Sequence, residues 1–428
     1  MPPSDLIRGN AVIGQSGGPT AVINQSLVGV VEGLRGGLHA AGFVPRILGM
    51  RHGVRGLTKG EFADLTDMHQ DRLDRLAATP SAALGSTRDK PDPAYCERVL
   101  EACKRNDIRY FFYIGGNDSS DTCRIVREMA VRTGYDLRCF HVPKTVDNDL
   151  MENDHTPGFP SAARFVAMAC MADFLDNISL PGIKINVVMG RHAGFLTAAS
   201  ALARRHDRDL NPVAPEESTD GPQLIYCPEV PFSLDEFAAD VEAIYAKKGR
   251  CHIAVSEGIM DPTGQPIGAS LIKNAQTDSH GNVQLSGSGA LGDALADFLK
   301  ARLTPAGGKA PRVRADTFGY VQRCWPDPSP IDQQEARRCG QFAAQLAMGG
   351  HQDGSVAIVR QGSGSERWLG RDNGQPYLST YRRVDLSAVA AKTRHMPPAF
   401  LTGRNNVSRA FVEYCLPLVG PLPGFERL

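Results

Sequence analysis

Residues 137–150, LRCFHVPKTVDNDL, place a charged turn directly behind a run of apolar residues. The run over 137–142 predicts a β-strand, and Pro143 stops regular strand pairing because it has no N–H to donate. The lysine and the two aspartates that follow therefore lie beyond the carboxyl end of that strand. In open α/β sheets ligands bind at that end, and a lysine beside carboxylates is typical of sites that handle phosphate.

The same order of strand, polar or glycine-bearing loop and helix recurs along the chain, without the fixed period of a repeat protein. NAVIGQ (10–15) leads into SGGPT and a helical pattern, and YFFYIGG (110–116) leads into NDSSDT and another. INVVMG (185–190) leads into a third helix, and the strand patterns HIAVSEGI and FGYVQR end in polar residues. Alternation of this kind predicts an α/β fold with mainly parallel sheets.

Length and charge narrow the class of protein. A chain of 428 residues exceeds one ordinary hydrophobic core, so two lobes are expected. Lys plus Arg equals Asp plus Glu at 47 each, which leaves no basic field for nucleic acid or an anionic membrane. No apolar run reaches the length of a bilayer span, and the ten cysteines lack zinc-type spacing. We expect a cytoplasmic protein with reduced thiols that binds neither nucleic acid nor membrane.

Two of the loops are candidates for binding phosphate or metal. The loop around Gly17 is either a tight turn or a cradle in which main-chain amides at a helix N-terminus bind phosphate. It matches neither the GxGxxG fingerprint nor the Walker loop. In the loop 115–122, the Asn, Asp and Ser residues are good N-caps. One helix cap does not require so many of these residues. Side chains within 117–121 could therefore also bind Mg²⁺ together with phosphate oxygens.

Six motifs occur in the order and context found in the phosphofructokinases: GGPTAVIN, GGNDSSDT, PKTVDND, MGRHAGF, SEGI and GYVQR. The sequence resembles this family from about residue 10 to about residue 325, and its pattern resembles the pyrophosphate-dependent branch. The resemblance implies a reversible reaction in which pyrophosphate phosphorylates the 1-hydroxyl of fructose 6-phosphate, giving fructose 1,6-bisphosphate and phosphate. It also implies Mg²⁺ as the cofactor, because pyrophosphate carries several negative charges that need neutralising.

The charged turn holds the catalytic positions that the resemblance implies. Asp147 matches the family's general base, which must be ionised to take the proton of the sugar hydroxyl. Thr145 and Val146 match sugar contacts, and Asp149 matches a residue that orients the site or its metal. The alternative role for Asp147 is to stabilise an Asx-turn, and the base is favoured because Thr145 and Asp149 flank it as in the family pattern.

Lys144 and Asp118 match the positions that select the phosphoryl donor. In the ATP-dependent members of the family that the sequence resembles, glycine stands at both positions, which leaves room for the inner phosphate of the nucleotide. A carboxylate about 4 Å from that phosphate would repel it by roughly 1 kcal/mol in water and by several at a protein surface. Lys144 would hold the compact pyrophosphate, together with Gly17 and with Arg88, for which a surface-loop role is the alternative.

Asn117 and Asp118 are the metal ligands that the resemblance implies. The family's pattern has an acidic Mg²⁺ ligand at the position of Asn117, and an amide oxygen would bind the cation with less charge. Direct binding of Mg²⁺ by Asn117 therefore stays open, with Asp118 as the alternative ligand.

On the acceptor side, the resemblance assigns Met189 and Gly190 to the sugar and Arg191 to catalysis or a phosphate contact. Glu257 in SEGI matches the acid that accepts hydrogen bonds from sugar hydroxyls. A further group grips the 6-phosphate, with one member reaching it from a neighbouring subunit. It comprises Tyr320, Val321, Gln322 and Arg323, together with Arg314 as the residue of the neighbouring subunit. That role of Arg314 implies a homodimer or a higher homo-oligomer.

The resemblance implies two doubly wound, Rossmann-like lobes with mainly parallel sheets that face a central cleft. Residues 1–160 plus about 324–400 would form the phosphoryl-donor (pyrophosphate) lobe, and residues 161–323 plus the C-terminal tail the fructose 6-phosphate lobe. Two alternatives to the pyrophosphate-dependent enzyme stay open: an ATP-dependent 6-phosphofructokinase and a noncatalytic subunit that senses sugar phosphate. The sensor is disfavoured because Asp147, Arg191 and Arg323 are all present, whereas a sensor needs only the binding cations.

Overall fold

The computed structural model describes residues 6–90, 92–204, 219–271, 289–361 and 377–426. These residues form two compact units, each with its own sheet. Unit 1 contains the described residues of 6–161, 323–361 and 378–394, and unit 2 contains those of 162–322, Tyr377 and 395–426. The chain passes from one unit to the other after Ser161, after Gln322, between Gln361 and Tyr377, after Tyr377 and after Arg394.

The strands and helices of the described residues alternate along most of the chain. The strands are β1 Asn10–Gln15, β2 Ile47–Met50, β3 Phe62–Asp64, β4 Ile108–Gly115, β5 Arg138–Pro143, β6 Ile183–Val188, β7 Leu224–Tyr226, β8 Cys251–Ser256, β9 Val313–Thr317, β10 Asp353–Gln361, β11 Leu378–Val384, β12 Leu401–Thr402 and β13 Asn406–Val407. The α-helices are α1 Ile23–Leu34, α2 Val54–Lys59, α3 Gln70–Ala78, α4 Pro93–Arg105, α5 Asn117–Arg132, α6 Phe159–Ser179, α7 Phe195–Ala199, α8 Leu234–Lys248, α9 Ile267–Leu271, α10 Ala290–Leu303, α11 Pro330–Met348, α12 Leu386–Val389 and α13 Arg409–Val419. A 3₁₀ helix spans Gly319–Arg323.

The sheet of unit 1 has seven strands in the order β11–β10–β5–β4–β1–β2–β3. The strands from β10 to β2 pair in parallel, whereas β11 and β3 pair antiparallel at the two edges. Alternate residues of the central strands enter two separate apolar clusters: Ile13 and Phe112 join one, while Val12 and Phe111 join the other. Both faces of the sheet are therefore covered, as a parallel sheet requires.

The sheet of unit 2 has four strands in the order β7–β8–β6–β9, and all of them pair in parallel. Its apolar cluster includes Ile185 of β6 and Val255 of β8, which pack with residues of α8 and α10. Helix α8 begins at a conventional cap, since the Ser233 side chain accepts a hydrogen bond from the main-chain N of Glu236 at 3.4 Å.

The expected α/β class with mainly parallel sheets is confirmed. The assignment of one lobe to the donor and the other to the sugar stays a prediction. All ten cysteines lie in the described ranges, and all have free thiols. Among the helices described, none is both long and apolar enough to cross a bilayer.

Candidate active site

Lys144 leaves the end of β5 and turns its ammonium group into unit 1. The Nζ atom donates a hydrogen bond to the carbonyl oxygen of Gly18 at 2.7 Å, and the residue is 4% exposed. Burial, with the positive charges of Arg323 and Arg88, lowers the pKa of Lys144 to about 8 against the raising effect of the turn's carboxylates. Three cations therefore concentrate positive charge at one place, which suits a polyanionic ligand.

The glycine loop after β1 is shaped for this cluster of cations. A Cβ atom at position 17 would lie 3.1 Å from Lys144 Nζ, and one at position 18 would lie 3.0 Å from the guanidinium carbon of Arg323. The main-chain N of Gly17 donates to the carbonyl of Thr87 at 2.9 Å. The glycines thus allow Lys144 and Arg323 to approach the backbone, and the amide of Gly17 is already used within the protein.

The structure brings Arg323 together with Lys144, Gly18 and Arg88 in unit 1. Its neighbours in the sequence, Tyr320 to Gln322, belong to unit 2. The predicted role of Arg323 at the 6-phosphate stays a prediction, and its position beside Lys144 is an observation that the sequence did not offer.

The turn after Lys144 holds the predicted general base. The main-chain N of Asp147 donates to the Thr145 hydroxyl at 3.1 Å, which fixes the turn locally. Burial and, after it, the charge of Asp147 together raise the pKa of the Asp149 carboxyl to about 6. Val146, which directly precedes Asp147, is buried. Two carboxylates that compete for ionisation at one turn suit proton transfer near neutral pH.

His141 supports the turn from the preceding strand and was not among the predicted site residues. Its Nε2 donates to the carbonyl of Gly115 at 2.9 Å, and its Nδ1 lies 2.7 Å from the Ser355 hydroxyl. Burial lowers the pKa of His141 to about 4, so the ring is neutral and its Nε2 carries the proton that the carbonyl needs. The same carbonyl accepts the main-chain N–H of Lys144 at 2.9 Å.

Asn117 and Asp118 are the first two residues of helix α5, which follows the end of β4 at Gly115. The Asn117 carboxamide donates to the carbonyl of Lys392 at 3.3 Å, and its Oδ1 accepts the main-chain N–H of Asp118 at 2.9 Å. The Asp118 side chain is exposed. A hydroxyl–hydroxyl hydrogen bond between Ser16 and Ser119 joins this helix start to the glycine loop.

The chemistry of these two residues allows Mg²⁺. In the parts of the chain that the structure describes, no group of three or more His, Cys, Asp or Glu side chains could hold a metal ion by itself. Mg²⁺ bound to phosphates needs only one or two protein oxygens, because the substrate and water supply the others. The Asp118 carboxylate and the second lone pair of Asn117 Oδ1 fit that requirement.

In unit 2, the loop after β6 carries Met189, Gly190 and Arg191. Gly190 has φ +127°, and a Cβ atom there would lie 2.5 Å from the carbonyl oxygen of Ala193. The Ser256 hydroxyl at the end of β8 donates to the carbonyl of Gly190 at 2.6 Å. Close packing of the two strand ends therefore fixes this loop.

Glu257 follows Ser256 and is 4% exposed, and its main-chain N donates to the carbonyl of Val188 at 2.9 Å. The structure thus groups Glu257 with the loop of Met189 to Arg191 in one unit. Glu229, also in unit 2, accepts the main-chain N–H groups of Gly194 at 2.8 Å and Met396 at 3.1 Å. Burial raises the pKa of its carboxyl. Glu229 was not predicted, because its partners are far away in the sequence.

The remaining predicted residues of unit 2 have different exposures. Gln322 is 1% exposed, and its side chain donates to the carbonyl of Gly319 at 2.8 Å. Tyr320 and Val321 are exposed, at 53% and 57%. Arg314 is an exposed residue of β9, in register with Lys184 of β6. Arg314 and Tyr320 therefore present polar groups at the surface of this chain. The Gln322 side chain is instead buried and bonded to the backbone of its own 3₁₀ helix.

A buried lysine, two nearby arginines and the two carboxylates of one turn are the kinds of group that phosphoryl-transfer sites use. The chain belongs to the phosphofructokinase family, since the family model "Phosphofructokinase" matches residues 10–347. It is 49% identical over 428 residues to the pyrophosphate–fructose 6-phosphate 1-phosphotransferase of Rhodospirillum rubrum, which covers 99% of this chain and 97% of the relative.

Two solved structures are also similar to this chain. Both are described as pyrophosphate-dependent phosphofructokinases, one from Marinobacter aquaeolei and one from Nitrosospira multiformis. Each is 31% identical, covers 98% of this chain and 94% of its own, and the TM-scores are 0.78 and 0.79 respectively.

Proposed function

We propose that this chain transfers a phosphoryl group from pyrophosphate to the 1-hydroxyl of fructose 6-phosphate, giving fructose 1,6-bisphosphate and inorganic phosphate. The observation that carries the proposal is the buried ammonium of Lys144, held by Gly18 and accompanied by Arg323 and Arg88. The names of the relatives agree with this donor and this acceptor. The reaction is reversible, because the donor anhydride leaves inorganic phosphate instead of a nucleotide.

In this mechanism Asp147 takes the proton of the 1-hydroxyl as the oxygen attacks the nearer phosphorus of pyrophosphate. The bond from that phosphorus to the bridging oxygen breaks, and the electron pair leaves with inorganic phosphate. Lys144 and Arg88 stabilise the charge that develops on the transferred and departing oxygens. The charge of Asp147 is among the causes that raise the pKa of the neighbouring Asp149 carboxyl.

The donor is selected at the start of α5. Asp118 is exposed there, and the loop before it is joined to Lys144 through the Gly115 carbonyl. A nucleotide would bring its inner phosphate against this carboxylate, whereas pyrophosphate ends before that point. Bound Mg²⁺ supplies charge neutralisation for the pyrophosphate oxygens, and Asp118 and Asn117 are the residues that would hold it.

Unit 2 supplies the proposed sugar contacts, Met189, Gly190, Arg191 and Glu257, and the packing of Gly190 against Ala193 supports a fixed loop for them. The exposed Arg314 supports a role on a neighbouring copy of the chain, so a homodimer or larger homo-oligomer belongs to the proposal. The neutral formal charge and the ten free thiols support a cytoplasmic location.

The test is an assay of purified protein with fructose 6-phosphate and Mg²⁺, with either pyrophosphate or ATP as the donor. Formation of fructose 1,6-bisphosphate with pyrophosphate alone is the expected result. Turnover with ATP alone would overturn the donor assignment. Binding of fructose 6-phosphate without turnover from either donor would instead indicate a sensor.

A further inference from the structure

The turn that carries the proposed base has a strained backbone. Asn148 has φ +59° and Glu152 has φ +66°, and both are non-glycine residues in the left-handed region. Such conformations cost energy and persist only where surrounding contacts hold them. The contacts that hold residues 148–154 therefore also set where the carboxylates of Asp147 and Asp149 lie.

Arg394 contacts the main-chain carbonyl groups of this turn. Its Nε and Nη2 atoms donate to the carbonyl of Asn148 at 3.1 and 2.8 Å, and its Nη1 donates to the carbonyl of Asp154 at 2.8 Å and also to that of Asn153. Its main-chain N donates to the carbonyl of Asp149 at 2.7 Å. One residue thus satisfies four carbonyl groups of the strained turn, three through its planar guanidinium and one through its main-chain N–H.

The segment that ends at Arg394 also contacts the start of helix α5. The carbonyl of Lys392 accepts the side-chain N–H of Asn117 at 3.3 Å, and the carbonyl of Leu386 accepts the Ser120 hydroxyl at 3.3 Å. A single stretch of chain, 386–394, therefore fastens the loop of the proposed donor-selecting residue and the turn of the proposed base.

We propose that Arg394 is a positioning residue of the phosphoryl-transfer site: it fixes the carboxylates of Asp147 and Asp149 through the carbonyl groups of residues 148–154. This inference rests on the proposed function. Without the guanidinium, the carbonyl of Asn148 loses both of its hydrogen bonds from Arg394 and the turn relaxes, which moves the base away from the sugar hydroxyl. Displacement of a reacting group by about 1 Å costs on the order of 10²-fold in rate.

The test compares Arg394→Ala and Arg394→Lys with the wild-type protein. We expect kcat with pyrophosphate to fall about 10²-fold in the alanine variant, with the KM of both substrates changed by less than about threefold. The lysine variant keeps the charge but offers a compact ammonium instead of a planar fork to the three carbonyls that the guanidinium holds, so its kcat should recover only in part. Guanidinium added to the alanine variant should raise kcat, whereas it should not raise that of the wild type.

Arg382→Ala is the matched control. Arg382 contacts the same turn from its exposed side, donating to the carbonyl of Glu152 at 3.4 Å and to its carboxylate at 2.6 Å, and its side chain is 51% exposed. Because it does not contact the carbonyls of 148, 149, 153 or 154 in the described structure, we expect its kcat to match the wild type.

Amide hydrogen exchange gives a readout that does not depend on activity. Exchange over 147–154 should accelerate in Arg394→Ala and stay unchanged in Arg382→Ala. Unchanged exchange and kcat in a folded Arg394→Ala protein would overturn the inference, as would a large rise in KM with kcat intact. If the alanine variant does not fold, the lysine variant carries the same comparison. Wild-type protein without pyrophosphate activity, but with accelerated exchange in the variant, would refute the proposed function and leave the positioning role standing.

Discussion

The two units hold their site residues at equivalent places, the carboxyl ends of parallel strands, but by different means. In unit 1, the turn after β5 is held by side chains that donate to backbone carbonyls: Lys144 to Gly18, His141 to Gly115 and Arg394 to the base turn. In unit 2, the Ser256 hydroxyl likewise donates to the carbonyl of Gly190, but the loop after β6 also needs the absence of a side chain at Gly190, which lets the backbone fold closely on Ala193. We therefore expect the site residues of unit 1 to be sensitive to the loss of side-chain hydrogen-bond donors. In unit 2 we expect sensitivity to a Cβ atom added at Gly190.

The largest expected effect is in unit 1. Replacing Asp147 by alanine removes general-base assistance, and we expect kcat with pyrophosphate to fall by about 10² to 10⁴. The KM values should change far less, since the charges that hold pyrophosphate are untouched. Steady-state kinetics of the folded variant measure both parameters, and wild-type turnover would remove Asp147 from the mechanism.

The next effect tests the steric side of the comparison in unit 2. In Gly190→Ala the new Cβ would meet the Ala193 carbonyl oxygen at 2.5 Å, at a φ of +127°. We expect kcat/KM for fructose 6-phosphate to fall by about 10- to 100-fold, because the loop must shift.

Gly264→Ala serves as the control for Gly190→Ala. Gly264 also has a positive φ, of +82°, yet a Cβ atom there would meet nothing within 4 Å. Both variants should lose stability by about 1 kcal/mol or more from backbone strain, but only the Gly190 variant should lose activity. Equal kinetics in the two variants would show that the loop of unit 2 is not held by close packing.

A smaller change is expected for the choice of donor. Asp118→Gly removes the exposed carboxylate, so ATP should gain about tenfold in kcat/KM relative to pyrophosphate, corresponding to about 1.4 kcal/mol. Pyrophosphate activity should decrease as well, because Asp118 is a proposed Mg²⁺ ligand. If the ratio of the two donors stays at the wild-type value, Asp118 does not select the donor.

The smallest effect concerns pH. Burial disfavours the charged form of Lys144 and lowers its pKa to about 8, so the ammonium loses its proton as pH rises through that value. We expect kcat/KM for pyrophosphate to decline above about pH 8, since this parameter reports the free enzyme.

Lys144→Arg separates this titration from that of pyrophosphate itself. A guanidinium stays charged across the range, so the decline that disappears in this variant belongs to Lys144. Identical alkaline limbs in the two proteins would show that Lys144 does not lose its proton there.

The fold was predictable because its signals are local. Apolar runs such as 137–142, followed by glycine or polar loops and helical patterns, indicated parallel strands, and the structure confirms them. The candidate site was predictable as far as its residues lie within the motifs. Lys144, Thr145 and Asp147 are close in the sequence and close in the structure.

The residues that hold those motifs in place were not predictable, because their partners are remote in the sequence. His141 pairs with Ser355, Glu229 with Met396, and Arg394 with Asn148. In one sequence each of these residues looks like an ordinary strand or loop residue. The neighbours of Arg323 were missed for the same reason, since its contact with Gly18 spans most of the chain.

Because unit 1 is built from three separate segments of the chain, recombination can separate residues that contact one another. Strand β10 pairs with β5, and Arg394 contacts the turn after β5, although about 200 residues of mostly unit 2 sequence separate β5 from β10. A recombination event that exchanged residues 6–161 alone would import a base turn without the arginine and the strand that fit it. Such an exchange would have to include both later segments of unit 1. The three segments of unit 1 are therefore expected to diverge together.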